Sequence, residues 1–467
     1  MLFNSVIYFV FLTIAVLIYW RLAWRQQNVF LLIASYIFYG YWDWRFLSLM
    51  WASTLVDFFC AKIIAASDDK IKRRSLLTLS LVLNFGFLGF FKYFNFFIDS
   101  ASVGLESMGI HVPMKVLAIV LPPGISFYTF QAVAYIVDVY FKKLEPSKNL
   151  IDYALFISLF PHLIAGPIQR PSHLLPQCQK PRHFDADWFC DGLLLIASGL
   201  FRKCVIADNC GAIANAVFDG HMGSNAAVML LGVYAFAWQI YGDFSAYSDF
   251  ARGSAQLLGF HFMVNFKQPY LAVSLQDFWR RWHISLSTWL RDYLYIALGG
   301  NRLGTVRTYV NLMSTMLLGG LWHGANWTFV VWGAIHGVGL AVERLLTGGK
   351  PEASTNVFGR WAQRIFIFHI VCLSWVFFRA NSVKAAWDYL GALTVWEWKP
   401  QYANGWLLMG CLAFTLFLID LFLEKTGEEY PFAMGANWRR ITAALAMLVL
   451  AFVFSVSESN AFIYFQF

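Results

Sequence analysis

Apolar runs long enough to cross a bilayer recur from one end of this chain to the other, and few architectures tolerate that. The first lies in MLFNSVIYFVFLTIAVLIYWRLAWR, and others cover about residues 28–44, 46–66, 75–98 and 114–140. A helix needs ~20 apolar residues to span ~30 Å of hydrocarbon. The runs are continuous rather than alternating apolar and polar, which favours helices over a β-barrel. Composition agrees: 59% of residues are hydrophobic and 13% charged, whereas a soluble domain carries about 25% charged residues. The sequence therefore reads as an all-α polytopic membrane protein.

Basic residues then report which loops face the cytoplasm. The first run has no basic segment before it and no cleavage signal after it, so it reads as a span rather than a signal peptide. Arg21 and Arg25 follow it, and by parity the clusters SDDKIKRR (67–74) and FKKLEPSK (141–148) fall on the same side. NWRR (437–440) precedes the last apolar run, so both termini are expected outside. The net charge of +8 needs no nucleic acid to explain it. The seven cysteines show no metal-ligand spacing, and neither a metal site nor a disulfide framework is expected.

The middle of the chain is irregular. FPHLIAGPIQRPSHLLPQ (160–177) and IVLPPGISFYTF (119–130) are rich in proline, so at membrane depth they must be buried in protein or line a cavity. The segment 275–302 is too charged to span. Its Trp279, Trp282 and Trp289 interleave with Arg280, Arg281 and Arg291, which suits an interfacial or re-entrant helix. The whole of 1–467 reads as one integral domain with roughly 10–12 spanning or re-entrant helices.

Polar groups at membrane depth are the candidates for function, because each is costly there. They are His323 and Asn326 in GGLWHGANW (319–327), His336, His283, and Asp243 with Asp249 in YGDFSAYSDFARG. An isolated histidine is as often a hydrogen bond between helices, worth ~0.6–2 kcal/mol, and His336 and His369 merit no more. His323 stands apart because Gly319, Gly320 and Gly324 permit close backbone approach or a helix break. Trp322, Asn326 and Trp282 are candidates to line a path beside it. Arg280, Arg281, Arg291 and Arg302 could hold phosphates on the cytoplasmic face. The competing reading of that segment is a set of interfacial anchors.

DFWRRWHISLSTWLRDYLYIALGGNR followed by GGLWHGANWTFVVWGAIHG resembles the membrane-bound O-acyltransferase family, and within it the bacterial alginate O-acetylation branch. FYTFQAVAYIVDVY, FPHLIAGPIQRPSHLLPQ, YGDFSAYSDFARGSAQLLGF and the terminal FIYFQF agree; Ala246 and Ala297 depart from the expected glycine and proline. The resemblance implies a ring of tilted and re-entrant helices around a central tunnel in the bacterial inner membrane. It implies His323 as the essential histidine and His283 as a second active-site position. It also implies acetyl-CoA or a similar donor on the cytoplasmic side, with no cofactor. The acceptor side would hold an extracytoplasmic acetyltransferase partner protein and finally a polysaccharide.

The chemistry fits this independently, since acyl transfer to a weakly nucleophilic hydroxyl needs a base. His323 is expected to be that base, with His283 orienting or polarising the thioester. Three other classes stay open: D-alanyl transfer to teichoic acid, a transporter, and a non-catalytic scaffold for polysaccharide secretion.

Overall fold

Pro122, Pro123 and Gly124 decide where one helix can begin, and they trim the expected 114–140 run. In the computed structural model, which describes residues 3–112, 116–433, 435, 437–455 and 462–463, that helix starts only at Ile125. Gly124 has φ +74°, and a Cβ there would meet the Leu163 carbonyl oxygen at 2.3 Å, so only glycine fits the turn. Residues 114 and 115 of that run, and the last four residues of FIYFQF, lie outside the described residues. Among the described residues every regular element is a helix.

The chain divides into two compact units, 1–192 with 250–263 and 193–249 with 264–467. The first holds α1 (Val6–Tyr19), α2 (Trp24–Asp43), α3 (Leu47–Ala66), α4 (Lys70–Leu88), α5 (Phe94–Ser107), α6 (Ile125–Tyr140), α7 (Leu150–Ser158), α8 (Phe160–Leu163) and α9 (Pro171–Cys178). Expected runs at 28–44 and 46–66 match α2 and α3. The run at 75–98 extends further than expected: α4 passes through a π turn at Gly89–Tyr93 into α5. Asp69 starts it by accepting the Ile71 amide at 2.8 Å, a side-chain cap for otherwise orphaned donors. The proline-rich stretch 160–169 is wholly buried, as its missing backbone donors require.

The second unit contains the remaining helices: α10 (Ala186–Phe201), which begins before it, α11 (Asp208–Phe218), α12 (Ala226–Leu257), which runs beyond it, α13 (Leu275–Arg281), α14 (Ile284–Trp289), α15 (Thr305–His323), α16 (Trp327–Thr347), α17 (Val357–Arg379), α18 (Val383–Ala392), α19 (Ala403–Thr426) and α20 (Asn437–Val453). Among the described residues six helical runs are long and apolar enough to cross a membrane: 24–66, 70–107, 226–257, 327–347, 357–379 and 400–426. The first of them contains both α2 and α3. The protein is an all-α, multi-pass membrane protein.

α15 and α16 form an antiparallel hairpin whose backbones touch. A Cβ on Gly320 would lie 2.2 Å from the Phe329 carbonyl oxygen, and one on Gly333 would lie 2.3 Å from that of Met316. Small residues allow such approach between helices where no water drives association.

Candidate active site

His323 is the last residue of α15, at the tip of this hairpin. The chain leaves the helix at Gly324, in an extended conformation, and Asn326 restarts it by accepting the Thr328 amide at 3.0 Å. The Asn326 side chain also donates to the Asn381 carbonyl at 3.2 Å. It therefore organises the turn, half-buried, rather than standing open to a channel. A Cβ at Gly324 would overlap the Phe329 ring.

The segment with the interleaved tryptophans and arginines does not span. It breaks into α13 and α14 at Trp282 and His283, where His283 adopts φ +42°. That left-handed conformation is costly for a residue with a Cβ, and the surroundings must hold it. They do so by backbone pairing: Lys267 N–H donates to Arg281 O and Ile284 N–H to Asn265 O, each at 2.9 Å. From α16, Glu343 accepts the first amides of α13, Leu275 at 2.6 Å and Gln276 at 3.0 Å, a carboxylate at a helix N-terminus.

These two breaks bring the two histidines together. Their ring centroids are 6.3 Å apart, and both are buried. Aromatic rings wall them in: Trp332 and Phe378 lie 5.2 and 5.3 Å from His323, and Phe244 and Trp322 lie 4.6 and 5.8 Å from His283. Trp282 is fully buried against Trp375 at 5.1 Å. The indole nitrogens of Trp282 and Trp332 are buried and have no hydrogen-bond partner among the described residues.

Beside the break lies a cavity of about 630 Å³ whose wall includes Ile284 and Ser287, so it reaches the residue after His283. Arg280, Arg291 and Arg302 line it, as does Arg344 of α16, which the sequence did not single out. Trp279 also lines it and keeps its buried Nε1–H without a partner among the described residues. Arg281 does not line it. It is tied to Asp277 at 2.9 Å and Glu424 at 2.7 Å; burial opposes its charge, but these carboxylates outweigh that and raise its pKa. Arg291 is largely exposed and pairs with Asp292 at 2.7 Å.

The remaining polar candidates have partners of their own. Asp243 and Asp249 bind Lys203 at 2.9 Å and Arg202 at 3.2 Å, all buried. His336 bonds Ser374 of α17 at 3.0 Å, a link between helices. His369 is exposed and bonds the Ile365 carbonyl of its own helix. Sequence reasoning missed Asn265, Trp332, Trp375, Phe378 and Arg344. In a chain with 20 tryptophans and 46 phenylalanines, no local signal separates the rings at a site from the rest.

Residues 33–383 match the membrane-bound O-acyltransferase family. The chain is 40% identical to the probable alginate O-acetylase of Pseudomonas putida, over 100% of both chains. It is 42% identical to the probable alginate O-acetylase of Pseudomonas aeruginosa, over 91% of this chain and 81% of that one. It is 32% identical to the peptidoglycan O-acetyltransferase of Helicobacter pylori, over 100% of this chain and 98% of that one. With two helix breaks that set a pair of histidines beside an arginine-lined cavity, this chain is an acyltransferase and belongs to the membrane-bound O-acyltransferase family.

Proposed function

We propose that the chain is a membrane O-acetyltransferase that carries an acetyl group from a cytoplasmic donor to a hydroxyl acceptor outside, for O-acetylation of a polysaccharide. The observation that carries this reading is the cavity with four arginines ending one residue from His283, itself beside His323. Guanidinium groups match phosphate oxygens in geometry and charge, so acetyl-CoA is the donor that fits, as substrate rather than cofactor. The relatives named for alginate and peptidoglycan O-acetylation support an acetyl group and a polysaccharide.

The arrangement also suits the transport problem. Coenzyme A is too polar to cross the bilayer, whereas an acetyl group passed through a tunnel at the histidine pair is small and uncharged. The acceptor hydroxyl attacks the thioester carbonyl, His323 takes its proton, and the C–S bond breaks as the proton passes to the departing thiolate. The immediate acceptor is a serine of an extracytoplasmic acetyltransferase partner or the polysaccharide hydroxyl itself. In the bacterial inner membrane the basic clusters at 67–74 and 141–148 support a topology with both termini outside, so reporters after Arg74 and after Phe467 should register on opposite sides.

The deciding experiment supplies purified protein in vesicles with labelled acetyl-CoA on the cytoplasmic side and a hydroxyl acceptor on the other. Label should appear in an ester on the acceptor. Transfer only from a D-alanyl carrier protein, or movement of substrate without ester formation, would overturn the reading in favour of the teichoic acid or transporter alternatives.

A further inference from the structure

The two ring nitrogens of His283 differ. Nδ1 lies 3.1 Å from Asn265 Oδ1. The orientation of that amide follows from its other contacts: Ser285 N–H and Oγ–H point to the same oxygen at 3.2 and 2.9 Å, and Asn265 Nδ2 donates to Ser248 Oγ at 3.2 Å. An oxygen that accepts from all three makes Nδ1 the protonated nitrogen of a neutral ring. Nε2 then carries the lone pair. It is buried and has no hydrogen-bond partner among the described residues. Of the rings around it, Phe244 offers no donor, Trp322 carries an indole N–H, and His323 is the titratable one.

This tautomer is wrong for the task expected of His283. An Nε2 without a proton cannot donate a hydrogen bond to a thioester carbonyl, so it cannot polarise one. It is right for another task. When the base beside it takes a proton in a low-dielectric, aromatic enclosure, the resulting cation needs an acceptor nearby. The opposite tautomer would aim an N–H at that cation.

We propose that Asn265 is a positioning residue: it fixes His283 as the Nδ1–H tautomer, so that Nε2 serves as the acceptor that stabilises His323 when it is protonated. The inference rests on the acyl-transfer reading above. The logic is that of a base oriented by a third group. Its elements are the Asn265 amide, the His283 ring and the His323 ring, at 3.1 Å and then 6.3 Å between centroids, a separation of the size that a single water can bridge. His283 stays neutral throughout. The proton moves from the acceptor hydroxyl to His323 and on to the thiolate as the C–O bond forms and the C–S bond breaks. The strained backbone at His283 and its pairing with 265–267 keep the ring in place between turnovers.

The test measures kcat and donor KM for acetyl transfer in vesicles, with melting temperature as the control for folding. Asn265→Leu, similar in size but without the acceptor, should lower kcat by roughly 10–10³-fold, a tautomer-type loss, while donor KM stays within about threefold. Asn265→Asp keeps the acceptor and should hold kcat within about tenfold of wild type. If leucine at 265 prevents folding, Asn265→Ala should show the same fall in kcat. A folded Leu or Ala variant with wild-type kcat would overturn the proposal, as would an Asp variant as impaired as the apolar ones. If the wild-type protein transfers no acetyl group, the acyl-transfer reading has failed instead, and the two failures are told apart.

Discussion

Two buried polar clusters at membrane depth, one in each unit, end in opposite ways. In the first unit Asp57 of α3 is fully buried, and its carboxylate accepts from Ser80 Oγ, from Asn84 Nδ2 at 3.1 Å, and from Ser53 Oγ at 3.4 Å. Ser53 also bonds Asn84 Oδ1 at 2.6 Å, and Asn84 returns a bond to the Ser80 carbonyl at 3.0 Å. Both carboxylate oxygens accept, and the cluster links α3 to α4. In the second unit His283 is held as firmly on one side, through Nδ1, yet its Nε2 and the indole N–H groups of Trp282 and Trp332 have no partner among the described residues. Burying an unsatisfied polar group costs ~1–3 kcal/mol. A fold keeps such groups where something other than the resting protein satisfies them. The difference teaches that two clusters equally buried can differ in valence: the first satisfies its carboxylate from within, whereas the second leaves ring nitrogens open beside a cavity.

The comparison breaks first at His323. His323→Asn should leave insertion and melting temperature nearly unchanged but lower acetyl transfer ~10²–10⁴-fold, because an amide bonds but does not take a proton. Near-normal transfer would reduce His323 to a link between helices, equivalent to Asp57.

The arginines give a contrast of intermediate size. Arg280→Ala and Arg344→Ala remove cavity-lining charges and should raise donor KM about ten- to a hundredfold with kcat little changed, the loss expected for a charge-assisted contact. Arg281→Ala breaks the bonds to Asp277 and Glu424 and should act on melting temperature while donor KM stays near wild type. A KM effect at Arg281 larger than at Arg280 and Arg344 would mean that the cavity is not the donor site.

The smallest effect belongs to the satisfied cluster. Asp57→Leu should lower stability by ~1–3 kcal/mol, since Ser80 and Asn84 lose their acceptor, and leave kcat per folded molecule unchanged. A fall in kcat with no loss of melting temperature would assign Asp57 a part in the chemistry.

Helix class and most helix positions were legible because they are set by short-range facts. α2 and α3 follow continuous apolar runs. Proline and glycine at 122–124 hold back the start of α6 to Ile125. Gly320 was legible as permissive, but not that it and Gly333 are the places where two backbones touch. The arginine group was half legible: the pattern around Trp279 drew attention to Arg280, Arg291 and Arg302, but nothing near Arg281 says that it turns to Glu424, 143 residues away. Arg344, on a different helix, lines the same cavity from outside the motif.

The sequence by itself determined that this chain lives in a membrane, which segments cannot span it, and which two histidines merit attention. It determined these because hydrophobic run length, proline placement and a titratable ring among apolar neighbours are local properties. Only the tertiary structure decided that the rings of His283 and His323 lie side by side, that Asp243 and Asp249 pair with Lys203 and Arg202, and that Asn265 faces Nδ1 of His283. Each of these is a contact across tens of residues. In a chain this uniformly apolar, the pattern of residue types carries little information about which distant side chains meet; packing and hydrogen-bond geometry supply it.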